Sequence, residues 1–304
     1  MTENNFKVYY INLERSVQRR DIIEAKLNDQ NIPLEYERVN AIDGKNDEYH
    51  SSGIISSTPG VQACFDSHRK VWEKVINGDN EWCVILEDDA DIPPDFQEFV
   101  SETILRINED NRDVDMVYLG YFGIPLERGS DYFFKPILPF GLHCYLLNKS
   151  HAEFLLKETE NSSRHHVDGI VLWKNVINNK KVLATRRNIL QNIDTFSSTL
   201  VDKKVPFPSS INRSLDGIKD KYGNDISYYA NVPAFTVFNK NINLYSFLFL
   251  FIGLFGTNII LIIVTLFLVI EYMSSKDESV LISFFLMILG IILSKIRAKS
   301  KTKN

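Results

Sequence analysis

Over residues 1–241 apolar side chains come in short bursts, and beyond them the chain turns almost wholly apolar. Residues 8–13, rich in β-branched and aromatic side chains, read as a strand. Ile22, Ile23 and Leu27 then fall at helical spacing, with Ser16 placed to cap a helix running to about residue 30. A second strand is expected at 34–39, ending in the turn signal Ala41-Ile42-Asp43-Gly44, and the polar stretch 45–57 reads as a loop. Thr58-Pro59 opens a helix to about residue 77, on which Gly60, Cys64, His68 and Trp72 share one stripe. Residues 84–86 are apolar without alternation, as a central strand buried on both faces requires. Pro93-Pro94 stop that strand ahead of a helix at 96–107. Further strands are expected at 115–119, 141–147 and 182–185, and further helices after Ser150 and over 170–178. The proline-rich segment 121–139 and residues 186–235 read as irregular. Strands alternating with helices predict an α/β fold with a mostly parallel sheet over residues 1–241.

From residue 242 the pattern differs in kind. Residues 242–270 carry no charged side chain, though Asn243 and Asn258 interrupt them. As one helix the run would extend roughly 40 Å, more than the ~30 Å hydrocarbon core of a bilayer requires. Residues 280–293 form a shorter apolar run, read as the return limb of a hairpin. Residues 242–296 are thus expected to be a two-segment hydrophobic membrane hairpin, and 297–304 a basic tail. Lys295, Arg297, Lys299, Lys301 and Lys303 outnumber the single Lys276 between the two runs, which by the positive-inside rule places the tail in the cytoplasm. Two spans put the first domain on the same side, and the start of the chain lacks the basic-then-apolar pattern of a cleaved secretory signal. The expectation is an integral membrane protein whose α/β domain faces the cytoplasm.

Composition changes this picture little. A net charge of -5 over 304 residues gives no global pull toward nucleic acid. Cys64, Cys83 and Cys144 are odd in number and widely spaced, which argues for reduced thiols rather than a disulfide framework or a Cys-x-x-Cys metal knuckle.

The candidate chemistry begins where the central strand ends. Glu87-Asp88-Asp89-Ala90-Asp91 sets four carboxylates at the carboxyl end of a buried strand, where open α/β sheets place ligands. Side-chain alternation sends Glu87 and Asp89 one way and Asp88 the other. So much like charge calls for a cation or a network of donors, and a hard divalent ion suits carboxylate oxygens. Asp91 before Pro93 also suits a turn or helix cap. Arg15, Arg19 and Arg20 gather at the first strand-to-helix junction, a pattern that fits a phosphate-bearing ligand or a solvated basic face. Cys64 and His68 could hold a metal in principle, but no companion pair stands elsewhere, and a packing stripe is the expected reading.

Several ordered blocks resemble glycosyltransferase family 25, which includes lipooligosaccharide galactosyltransferases and collagen galactosyltransferase domains. They are Tyr10-Ile11-Asn12-Leu13 with Arg15, Arg19 and Arg20; Thr58-Pro59-Gly60 with Cys64, Ser67-His68 and Trp72; and Leu86-Glu87-Asp88-Asp89-Ala90. After these come His143-Cys144-Tyr145-Leu146-Leu147 with Ala152, then Val167-Asp168-Gly169, and Gln191 with Ser197 or Ser198. The resemblance spans about residues 6–200 and leaves out the apolar end. It implies a GT-A-like (Rossmann-like) nucleotide-sugar-binding domain, a donor such as UDP-galactose, a glycan or glycolipid acceptor, and transfer with inversion.

The acidic block then resembles the D-x-D-type element that holds Mn²⁺ or Mg²⁺ against a donor diphosphate, although Glu87-Asp88-Asp89 is not literally D-x-D. Asp88 and Asp89 are the metal candidates, with Glu87 ligating or orienting. Asn12, Arg15, Arg19, His68 and Gln191 are candidates for substrate contacts. His143 is expected in the cleft as donor contact or third ligand, or as a satisfied histidine at a strand start, with His165 and His166 competing for the role. Asp168 is the candidate base for the acceptor hydroxyl, or a helix N-cap. Competing classes are a non-catalytic membrane scaffold with a degenerate transferase domain and a metal-dependent nucleotidyl- or phosphotransferase. No G-x-x-x-x-G-K-[ST] loop supports the last.

Overall fold

A computed structural model describes residues 6–46, 49, 55–110, 113–162, 165–192, 218–220, 223, 235–237, 240–242, 244–276 and 278–301. The chain divides into two compact units. One comprises Met1–His50, Pro59–Phe196 and Lys221–Asn224, and the other Ser51–Thr58, Ser197–Asp220 and Asp225–Asn304.

In the first unit the continuous apolar run becomes a strand near the middle of a sheet, as its burial on both faces demands. The strands are β1 (Phe6–Asn12), β2 (Tyr36–Asn40), β4 (Trp82–Glu87), β6 (Met116–Gly129), β7 (Phe133–Asn148) and β8 (Val182–Thr185), and they lie in the order β2-β1-β4-β7-β6-β8. β2, β1 and β4 pair in parallel, β7 runs against both β4 and β6, and β8 is parallel to β6. Only β7 is reversed, so the sheet is mostly parallel.

Alternation along the strands separates two cores. Val8, Tyr10, Val84 and Leu86 pack beneath α1 (Val17–Asn28) and α3 (Phe96–Glu109). Tyr9, Ile11, Cys83 and Ile85 pack against α2 (Pro59–Asn77), α4 (Lys149–Thr159) and α5 (Val167–Ile177) on the other face. A short pair, β5 (Ala90–Asp91) with β9 (Leu190–Gln191), lies just beyond the end of β4.

Two expectations are modified in this unit. The segment 121–139 is mostly strand, β6 and β7 continuing through it as one long hairpin, with its irregularity in the register shifts. Its prolines and glycines are tolerated because register shifts interrupt the ladder between Tyr118 and Gly120, Gly120 and Phe122, Ile124 and Pro125, and Pro125 and Gly129. The cap of α4 is Asn148, whose side chain accepts from the His151 amide, rather than Ser150. Ser16 does occupy the N-cap of α1 but makes no side-chain capping bond.

The second unit contains a three-stranded antiparallel sheet of β11 (Lys240–Ile242), β10 (Phe235–Val237) and β3 (Ile55–Ser56). Three helices follow, α6 (Leu244–Phe255), α7 (Asn258–Ser275) and α8 (Glu278–Lys301). The first apolar run is therefore not one helix. It breaks at Gly256-Thr257, where Thr257 caps α7 by accepting from the Ile260 amide. The run read as a short return limb lies in the longest helix, and Val280–Arg297 is the one stretch among the described residues long and apolar enough to cross a membrane. α6 and α8 touch backbone to backbone. A Cβ on Gly253 would fall 2.0 Å from the Met287 carbonyl oxygen, and one on Gly290 would fall 2.4 Å from that of Leu250. Only glycine permits so close a crossing.

Candidate active site

Glu87 closes β4, and Asp88-Asp89 form the turn that leads into β5. The strand's alternation carries through to Asp88, so neighbouring carboxylates enter different surroundings. Asp88 turns toward α1: its Oδ2 accepts from Asn12 Nδ2 at 2.6 Å and its Oδ1 pairs with Arg19 Nη2 at 2.7 Å. Burial pushes its carboxyl up to about 6, against the pull of Arg19. Asn12, at the end of β1, is itself fixed, donating to the Ser16 carbonyl at 3.1 Å and accepting from Arg38 Nε at 3.0 Å.

Asp89 shares Arg19, with Nη2 to Oδ2 at 2.5 Å, and the same Oδ2 accepts from Gln191 Nε2 at 3.1 Å. β9 delivers Gln191 by pairing it with Ala90, and Asn192 donates its amide to the Asp89 carbonyl at 2.7 Å. Asp89 Oδ1 is buried with no hydrogen-bond partner among the described residues. Burial, then the charge of Glu87, raise the pKa of Asp89. Glu87 turns the opposite way from Asp88, toward α2, where its Oε1 lies 3.3 Å from His68 Nε2. Burial alone would raise the Glu87 carboxyl, but the His68 hydrogen bond and the nearby His143 and Arg19 bring it below its usual value.

His143 is held by a glycine cradle. Its Nε2 meets the Ile189 carbonyl oxygen at 2.9 Å, and a Cβ on Gly120 would fall 2.5 Å from that nitrogen and 2.6 Å from that oxygen. The carbonyl fixes a proton on Nε2, so in the neutral ring Nδ1 carries a lone pair. That nitrogen is buried without a partner among the described residues, in a ring close enough to Glu87 and Asp89 to act on both charges. A histidine tied through one nitrogen to a carbonyl, with the other free, is the usual preparation of a metal ligand. Asp89 Oδ1 and His143 Nδ1 are therefore the unsatisfied donors that a divalent cation could use beside Glu87, although among the described residues the trio whose ligand atoms converge is Cys64, His68 and Glu87. Asp88 fits less well, because Asn12 and Arg19 already take both its oxygens.

The other predicted residues divide. Arg15 sits on Asp43 instead of the carboxylate cluster, with Nε to Oδ2 at 2.6 Å, at the carboxyl end of β1 and β2 and half exposed. Arg20 pairs with Asp21 at 3.6 Å. Asp168, in the first turn of α5, accepts from the Gly141 amide at 3.2 Å and from the Gly169 amide at 2.8 Å. It lies close enough to Cys64 to raise that thiol, after burial and Glu87. His166 is the N-cap residue of α5, and His165 precedes it. Ser197 and Ser198 lie outside the described residues. Cys64, His68 and Glu87 do bring ligand atoms within 4.8 Å of one another, a companion for the pair that sequence spacing did not supply. The Cys64 thiol is held protonated and both His68 nitrogens are engaged, so this trio is not poised for a metal. Arg38, Tyr145 and Gly120 were not among the predicted site residues; for Gly120 the signal was a glycine ending a strand next to the cleft.

A family model described as "Glycosyltransferase family 25 (LPS biosynthesis protein)" matches residues 5–119. This segment is similar to glycosyltransferase family 25. The matched segment takes in Asn12, Arg15, Arg19, His68 and the three site carboxylates, and stops short of His143, Asp168 and Gln191. The putative glycosyltransferase R655 of Acanthamoeba polyphaga mimivirus is 30% identical over 178 residues, which is 50% of this chain and 52% of that protein. Procollagen galactosyltransferase 2 of Homo sapiens is 29% identical over 132 residues, 38% of this chain and 20% of that one. The lipooligosaccharide biosynthesis protein lic2B of Haemophilus influenzae is 29% identical over 104 residues, 31% of this chain and 37% of that one. The chain thus spans about half, or less, of the length of these curated relatives.

Proposed function

We propose that the protein is a membrane-anchored inverting glycosyltransferase of GT-A-like fold. It moves a hexose, galactose from UDP-galactose in our reading, onto a hydroxyl of a lipid-linked or cell-surface glycan. The observation that carries the reading is the pair of buried, unpartnered atoms Asp89 Oδ1 and His143 Nδ1, with Glu87 and Asp89 at the carboxyl end of β4 inside the segment that matches family 25. The names of the relatives support glycosyl transfer, and those of the human and Haemophilus proteins support galactose and a lipooligosaccharide-type acceptor.

We assign Glu87, Asp89 and His143 to a divalent cation, Mn²⁺ or Mg²⁺. Bound there, the cation would neutralise the charge that builds on the departing nucleoside diphosphate. Asp88 acts behind the site: with Asn12 it holds the Arg19 guanidinium, which keeps Asp89 aimed and offsets part of the cluster's charge. Arg15, half exposed at the same end of the sheet, is the cation we assign to the donor phosphates. Asp168 is the base that takes the acceptor hydroxyl proton. Its two backbone hydrogen bonds fix the carboxylate's direction and leave lone pairs for that proton. The apolar surface of α6, α7 and α8 supports membrane anchoring, which keeps the enzyme where a lipid-carried acceptor lies. In our reading the α/β unit faces the cytoplasm, with the basic tail on the same side.

The test is a nucleotide-sugar screen on the full chain in lipid nanodiscs, with Mn²⁺, with Mg²⁺ and with a chelator. Metal-dependent turnover of a UDP-hexose, with the product linkage inverted by NMR, is the expected result. Binding of no nucleotide sugar under any metal condition would overturn the reading in favour of a non-catalytic scaffold, and nucleotidyl transfer without sugar transfer would reassign the site.

A further inference from the structure

The Glu87 carboxylate is gripped from behind by the core. Trp72 and His68 lie one turn apart on α2, and Tyr145 faces them from β7. Trp72 Nε1 donates to the Tyr145 hydroxyl at 2.9 Å, and that hydroxyl lies 3.0 Å from His68 Nδ1. His68 Nε2 in turn reaches Glu87 Oε1 at 3.3 Å. Trp72, Tyr145 and His68 are all essentially fully buried, so none of these bonds is exchanged with water.

Chemistry gives the chain one direction. An indole N–H can only donate, so the Tyr145 oxygen accepts from Trp72. The phenol's own hydrogen needs an acceptor, and among the described residues His68 Nδ1 is the one within reach. With Nδ1 accepting, the imidazole hydrogen must sit on Nε2, where it meets an acceptor-only carboxylate. Both ends of the chain thus demand the same tautomer.

We propose that Trp72, Tyr145 and His68 form a one-way buried relay whose role is to position the Glu87 carboxylate, so that His68 is a positioning residue rather than a substrate contact. One Glu87 oxygen is anchored from inside, while its side chain keeps 25% of its surface exposed and remains reachable from the cleft. The carboxylate plane is fixed before donor or cation arrives, which is what a tightly oriented ligand shell requires. The inference rests on the transferase reading for its consequence, but the relay itself is a statement about hydrogen positions.

Two arms test it separately. In the first, ¹⁵N-histidine NMR of the full chain identifies the His68 signals by their loss in His68→Gln. The expected result is the Nε2–H tautomer in the wild type, with a mixture of tautomers in Tyr145→Phe. A wild-type His68 protonated on Nδ1, alone or with Nε2, would overturn the relay whether or not the protein transfers sugar. In the second arm, His68→Ala is expected to lower kcat about a hundredfold with the donor KM changed no more than about twofold. His68→Gln, whose amide can still donate to Glu87, is expected to recover about tenfold of that loss, and Tyr145→Phe to cost about tenfold. If His68→Gln is folded and no better than His68→Ala, or if the loss falls on donor KM instead, the positioning role fails. Absence of transfer in the wild type would sink the transferase reading and leave the NMR arm to decide the relay.

Discussion

Tyr10, Trp72 and Phe96 of the α/β unit are hidden from solvent, whereas Phe251, Ile259 and Phe285 of the helical unit expose 54%, 71% and 63% of their surfaces. Both units bury some polar side chains. The helical unit buries Ser246, Glu271 and Ser283, while the α/β unit keeps most of its charge outside and buries it chiefly around one site. The same physics acts on both regions, since apolar surface leaves water wherever it can. Under the membrane-anchored reading we propose, the difference lies in the solvent each region is built for. A large apolar face on a water-soluble unit is a liability, whereas one of this extent on helices is what a bilayer accepts. Where the α/β unit does bury charge, around Glu87, Asp88 and Asp89, the exception marks the place to which our proposal assigns a ligand.

That contrast can be broken or sharpened by four substitutions. The largest effect is expected at the buried charge: Asp89→Asn should lower transfer roughly a thousandfold while leaving flotation with liposomes unchanged. A loss confined to membrane association would detach the carboxylates from catalysis. His151, the buried histidine at the start of α4, comes next. It lies 3.7 Å from Asp115, faces Lys180 and Asn175 as well, and burial lowers its pKa to about 4, with Asp115 opposing. Its folded value is below that of the unfolded chain. The associated stability is therefore full above about 6.5 and is lost as pH falls toward about 4, to a total of roughly 3 kcal/mol. Melting curves of wild type and His151→Gln between pH 7 and 4.5 should show the variant losing less, and parallel curves would count against the assignment.

Gly120→Ala tests the cradle of His143. The added methyl lands on the His143–Ile189 hydrogen bond, and activity at limiting Mn²⁺ should fall at least tenfold with partial recovery at high Mn²⁺. The smallest effect belongs to the outer face. Ile263→Ser removes an apolar side chain that is 60% exposed, and should weaken bilayer partitioning by about 1 kcal/mol without changing kcat. An Ile263→Ser protein that partitions as the wild type does would mean that this face does not meet lipid.

Much of this was legible in the chain's pattern, for identifiable reasons. Residues 82–87 announce a central strand because only burial on both faces explains an unbroken apolar run, and its alternation separates Glu87 from Asp88 but ends in the turn, where Asp89 shares Arg19 with Asp88. Pro59 and the stripe of α2 are local signals, so that helix was read nearly to the residue. What stayed hidden depends on partners far along the chain. Tyr145 sits in an apolar strand and looks like core until Trp72 and His68 are seen around its hydroxyl. Arg15 and Arg19 are alike in sequence, and only the placement of Asp43 and Asp89 decides which one meets the site. The long β6–β7 hairpin was masked by prolines that a bulged ladder accommodates. The break at Gly256-Thr257 was masked because hydropathy averages over a cap.

The central claim is that Glu87, Asp89 and His143 together hold one divalent cation for a nucleotide donor. Mn²⁺ titration of the full chain followed by electron paramagnetic resonance, with and without UDP, measures this directly. One bound Mn²⁺ per chain, tightened by UDP and lost in both Asp89→Asn and His143→Ala, is the predicted result. Mn²⁺ binding that is absent with UDP present, or that survives both substitutions unchanged, would contradict it.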